Sequence, residues 1–91
     1  MFCAVRLELR LPFASSLKDK RQTLRSLKDR LRRKNVSVVE SDHQDSWQRA
    51  TLALACVSAS GRHANEVISK AMDFIEDNVD GYVIDVQIEI L

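Results

Sequence analysis

Between residues 3 and 11 apolar and polar side chains alternate. Cys3, Val5, Leu7, Leu9 and Leu11 fall on one side, and Arg6, Glu8 and Arg10 on the other. A period of two marks a half-buried strand. Pro12-Phe13-Ala14 breaks it. From Ser15 to Lys34 the period lengthens to that of a helix, with Leu17, Leu24, Leu27 and Leu31 on one face. Ser16 is a good N-cap, and Asp19 three residues later forms an approximate capping box. Asp19 in the first turn and Arg32, Arg33 and Lys34 in the last suit the helix dipole. Asn35 is a plausible stop.

A short second strand follows over Val36–Ser41, with Val36 and Val38 on one face. Asp42-His43-Gln44-Asp45-Ser46 carries turn chemistry. The third strand runs from Trp47 to Ser58. Ala50, Leu52, Leu54 and Cys56 face one way, and Trp47, Arg49, Thr51, Ala53, Ala55 and Val57 the other. Arg62–Asn78 reads as a second amphipathic helix behind Ser60 as N-cap, with Ala64, Val67, Ile68, Ala71, Met72, Phe74 and Ile75 forming a broad apolar stripe. After Asp80-Gly81 the chain alternates again: Tyr82, Ile84, Val86, Ile88 and Ile90 against Val83, Asp85, Gln87 and Glu89.

The order is strand–helix–strand, twice. Right-handed crossovers turn it into an α+β fold, a ferredoxin-like βαββαβ sandwich over residues 1–91 as one domain. Four antiparallel strands carry two helices on one face and leave the other face open. The topology sets the start of the first helix, the Asp42–Ser46 hairpin and the Asp77–Gly81 turn at one end.

Charge sharpens this picture. The chain is formally +1, but between Lys18 and Lys34 nine basic residues stand against two aspartates. The rest of the chain is therefore net acidic, with seven acids and one lysine from Glu66 onward. Such a molecule is suited to an anionic polymer or to itself. No window approaches the length of a membrane span. The N-terminal Met-Phe-Cys-Ala-Val-Arg is not a signal peptide, and a cytoplasmic protein is expected. Cys3 and Cys56 stand alone in apolar runs, so buried, reduced thiols are expected.

Three constellations carry the candidate chemistry. At about 100° per residue, Lys18, Arg21, Arg25, Lys28 and Arg32 form a stripe beside the leucine face. It reads as a phosphate-tracking surface, as a solvated face, or as a surface paired with the acidic second helix. Lys20 belongs to the same basic cluster, but its angle falls among the leucines, so it must snorkel or find a partner. Asp42, His43 and Asp45 in the hairpin offer a general base, part of a metal site with a ligand set poor for zinc, a partner-binding turn, or only a capped polar turn. Trp47 and Arg49 form a stacking platform, or Trp47 covers the sheet edge or sits in a dimer contact. No zinc-ligand pattern, glycine-rich phosphate loop or catalytic triad is present, so neither metal, cofactor nor catalytic residues are expected.

Ser16-Leu17-Lys18-Asp19-Lys20-Arg21 after a first strand, followed by Asp42-His43-Gln44-Asp45-x-Trp47-Gln48-Arg49-Ala50, resembles the YlxP-like family of small bacterial proteins. The resemblance covers essentially the whole chain. It implies a ferredoxin-like fold and, in many bacteria, a gene beside those for translation initiation and ribosome maturation factors. It implies no established activity. The expected function is a non-enzymatic module acting with ribosomal RNA or a ribosome-associated protein through the basic helix. The alternative is a homo-oligomeric scaffold or a small-ligand regulatory domain. An acylphosphatase-like enzyme fits less well, because Pro12–Ser16 stands where the glycine-rich loop belongs.

Overall fold

The computed structural model describes residues 2–90. It has six elements: β1 (Phe2–Arg10), α1 (Leu17–Arg32), β2 (Ser37–Asp42), β3 (Arg49–Val57), α2 (Gly61–Asn78) and β4 (Tyr82–Ile90). The four strands form one antiparallel sheet in the order β2-β3-β1-β4. This is the βαββαβ sandwich expected from the alternation of periods.

β1 shows why the pattern is decisive. Cys3, Val5, Leu7 and Leu9 are buried, and Leu11 continues the set. Across the ladder they face Cys56, Leu54, Leu52 and Ala50 of β3. The helices close this layer from one side with Leu24, Leu27 and Leu31 of α1 and Ala64, Ile68, Ala71 and Ile75 of α2. Val36 and Val38 complete it near β2.

Both helices begin as their sequences indicate. The Ser16 hydroxyl accepts from the Asp19 amide at 3.1 Å, and the Ser60 hydroxyl from the His63 amide at 3.3 Å. The box at α1 is displaced by one residue: the Asp19 carboxylate accepts from the Ser15 amide at 3.2 Å and from the Ser15 hydroxyl. At the other end Asn35 takes a left-handed φ of 62°. The Val36 amide reaches Leu31 O at 3.4 Å and the Asn35 amide reaches Arg32 O at 3.2 Å. That pattern closes a helix C-terminus and seats Val36 with Leu31 in the core.

β4 departs from its alternation. A bulge shifts its register against β1 between Glu8 and Leu9, so that Glu8 faces Asp85 while Leu9 faces Val83. One extra residue reverses the parity beyond it. Val83, which the alternation groups with Asp85 and Gln87, packs on the core, whereas Tyr82 lies opposite Arg10 and is 55% exposed. Val86 and Ile88 stay in register with Leu7 and Val5. The expectations for the Glu89 and Ile90 side chains lie outside the described residues. The third strand is also shorter than expected, because Trp47 and Gln48 belong to the turn.

Candidate functional site

The three structures expected at one end do meet, and Lys20 joins two of them. It leaves the leucine face of α1 and is 1% exposed. Its ammonium group donates to His43 O and Ser46 O at 2.6 Å each, and to Arg49 O at 2.9 Å. Those bonds use all three of its N–H donors. Glu40 Oε2 lies 2.9 Å from the same nitrogen and gains a charge contact without a hydrogen bond. Lys20 thus neither snorkels nor faces solvent. It pins the β2–β3 hairpin to α1, and it leaves the set of residues able to touch RNA.

The rest of the hairpin is tied down by local bonds. The Ser46 amide returns to His43 O at 3.1 Å, closing a turn in which His43 has a φ of 62°. The His43 amide donates to Asp42 Oδ1 at 2.8 Å. His43 Nδ1 and Thr51 Oγ1 share a hydrogen bond of 2.8 Å, its direction set by the imidazole tautomer. This contact folds the ring over the open sheet face and buries Thr51. Gln48 Nε2 donates to Pro12 O at 3.3 Å, and the Leu11 amide to Gln48 O at 2.9 Å.

The hairpin candidates therefore separate. Arg49 is committed to Glu8, with Nε donating at 2.7 Å. Asp42 lies 3.9 Å from Arg6. Trp47 is 53% exposed in the turn, outside the strand that carries Arg49. Asp45 is exposed and has no ion-pair partner among the described residues. Arg6, Glu8, His43, Thr51 and Asp85 line a polar depression of about 220 Å³. No group of three or more metal-ligating side chains gathers among the described residues.

The basic stripe is built differently. Lys18, Arg21, Arg25 and Arg32 are exposed and Lys28 is half-buried. Arg32 has one weak partner, Asp29 at 3.7 Å, with both side chains 58% exposed. Among the described residues no ion pair links the stripe to α2; the one ion pair within α2 is Arg62 with Glu66. Arg21, Arg25, Lys28 and Arg32 line a groove of about 260 Å³ together with Leu24 and two carboxylates, Asp29 and Glu40. The groove lies between α1 and the β2 edge. Sequence reasoning placed the stripe correctly on the helix, but could not show that, among the described residues, α2 sends no ion pair to it.

The cysteines are free and buried, in register opposite each other on β1 and β3. Burial, and then the neighbouring Cys56, pushes the Cys3 thiol above its ordinary value. That disfavours the thiolate and nucleophilic chemistry at this position. No helix among the described residues is long and apolar enough to cross a membrane.

Fold and site together define a ferredoxin-like α+β sandwich with a basic helical flank and a lysine-locked hairpin. Two de novo designed proteins share the architecture. One, of ferredoxin fold, superposes with a TM-score of 0.67 at 11% identity, covering 100% of this chain and 87% of the other. The second, Ferredog-Diesel, gives 0.55 at 9% identity over 98% and 84%. At those identities the likeness concerns the fold alone. Residues 2–88 match the model of the family described as protein of unknown function DUF503, and the chain belongs to that family. It is 38% identical over 64 residues to the "Uncharacterized protein YlxP" of Bacillus subtilis (strain 168), covering 69% of this chain and 70% of that protein.

Proposed function

We propose that this protein is a non-enzymatic, cytoplasmic RNA-binding module whose α1 stripe tracks phosphates of ribosomal RNA. One observation carries the reading: five basic side chains line one flank of a helix, and among the described residues only one of them has an ion-pair partner, itself solvent-exposed. From Lys18 to Arg32 the helix advances ~21 Å, enough to follow several successive phosphates. The groove along the β2 edge gives a strand a place to lie. Trp47, exposed at the same end of the domain as the start of α1, is available to stack on a base.

Salt-dependent binding tests this. Five contacts to single-stranded RNA give a slope of log K against log[salt] of about −3.5. Anisotropy with ribosomal RNA fragments at stepped salt should show that slope. Replacing Arg21 and Arg25 by Gln should weaken binding and flatten the slope by roughly 1.4, with the fold intact. Binding equal to wild type at every salt would make the stripe a solvated face and remove the reading.

A further inference from the structure

β4 is the longer and less charged edge of the sheet, with one bulge, at Ile84, as its protection. β2, at the other edge, spans six residues, carries Glu40 and Asp42, and is flanked by the basic side chains of α1. β4 spans nine residues. From Tyr82 to Ile88 it carries a single charge, Asp85, and no lysine or proline to block pairing. Its inner face is also uncovered. Val86 and Ile88 share the side of Leu7 and Val5, which are buried. Yet Ile84, Val86 and Ile88 remain 43%, 41% and 50% exposed. Both helices pack elsewhere: α1 against β2, and α2 over β1 and β3 with only a margin on β4.

We propose that a second copy of this chain pairs with β4 in an antiparallel, two-fold arrangement centred on Val86. The chemistry of the strand is self-complementary there. A two-fold at Val86 sets Val86 against its own copy, Ile84 against Ile88, and Asp85 against Gln87. Between Ile84 and Ile88 each apolar residue meets another and no acid faces an acid; Val83, beyond the bulge, falls opposite Glu89. Moving the axis one residue to Asp85 would oppose two aspartates, which is destabilising. The result is one eight-stranded sheet with all four helices on the same side.

The covered space fits as well. Because α2 lies over β1, the two copies of α2 stand about three strand spacings apart, ~14 Å. Directly packed helices stand at about 8–10 Å. The excess is a trough over the joint, and the exposed Ile84, Val86 and Ile88 of both copies fill it. Met72, half-buried on α2, flanks it by helical angle. The strip is ~30 Å long and ~15 Å deep, or roughly 900 Å² over both copies. That is below the ~1,200 Å² at which stable specific interfaces begin and belongs to weak, transient ones, so the dimer should be concentration-dependent. The basic stripes remain free at the two outer edges. The interface does not depend on their binding RNA.

Sedimentation of the full chain from about 1 to 200 μM, a range chosen to bracket a weak interface, tests the proposal. The expected result is a monomer–dimer equilibrium. Val86→Lys should shift the dissociation constant at least tenfold, with an unchanged far-ultraviolet spectrum, because Val86 is outside the core. Val86→Cys gives a second readout that does not rely on weakening. Opposed positions in an antiparallel pair lie at about 4.5–5.5 Å, within disulfide reach. Mild oxidation should yield a covalent dimer, and Val39→Cys on β2 should not. A monomer throughout the range overturns the proposal. So does a dimer indifferent to Val86→Lys but dissolved by Val39→Lys, which would place the contact on the open face. Open-ended growth with concentration also overturns it, since it would mean head-to-tail pairing of β4 with β2.

Discussion

Replacing Lys20 with Met removes the ammonium group and keeps most of the apolar stem. Three backbone carbonyls, those of His43, Ser46 and Arg49, lose their charged donor, and Glu40 loses its counter-charge. Hydrogen bonds to charged groups are each worth about 1.5–3 kcal/mol. A simple sum would consume most of a domain whose total stability is ~5–14 kcal/mol. The hairpin can relax and admit water, so the cost of breaking one buried pair, about 3–5 kcal/mol, is the better measure. Urea unfolding should show that loss, and the melting temperature should fall by roughly 15–30 °C. Lys20→Arg should not rescue it, because a planar guanidinium cannot direct three donors into so small a nest. Glu40→Gln in the Lys20→Met background should cost less than in wild type, since the carboxylate no longer has a partner to lose; a coupling of ~1–3 kcal/mol is expected. A Lys20→Met loss below about 1 kcal/mol, or strictly additive losses, would refute the argument that Lys20 holds the hairpin.

Two further predictions concern the same end of the molecule. A Cβ on Gly81 would lie 2.0 Å from Arg10 O, a backbone atom that cannot swing aside. Gly81→Ala should therefore cost about 1–3 kcal/mol in urea unfolding, and unchanged stability would count against this close approach. The Ser15 hydroxyl, and then its amide, hold the Asp19 carboxyl below its ordinary value of 3.8. A lowered value in the folded state contributes stability that is present above that pH and lost as pH falls through the folded value. NMR titration of Ser15→Ala should show Asp19 moving back up, with the first turn of α1 fraying at higher pH than in wild type. An unmoved titration would show that the Ser15 contact is absent in solution.

The sequence alone determined the layers. Strict alternation in β1 and β3 and leucines at helical spacing in α1 allow one stable burial, a sheet covered on one face. The caps at Ser16, Ser60 and Asn35 act through local hydrogen bonds, so their positions are legible from neighbours alone. The basic stripe was legible for the same reason: a helix converts spacing into a face. Lys20 shows the limit. Its place among leucines signalled an unusual environment, but its partners lie more than twenty residues away. Only the docking of the hairpin on α1 identifies them. Arg49 likewise carried no sign in the sequence of Glu8, which β1 places beside it. In β4 the alternation was clear, and its parity at Tyr82 and Val83 was still misleading. A bulge is a mismatch between two strands, invisible in either one. The exposed flank of β4 is tertiary in the same sense: apolar pattern says that Val86 and Ile88 face inward, while the placement of α2 mainly over β1 and β3 leaves them only partly covered.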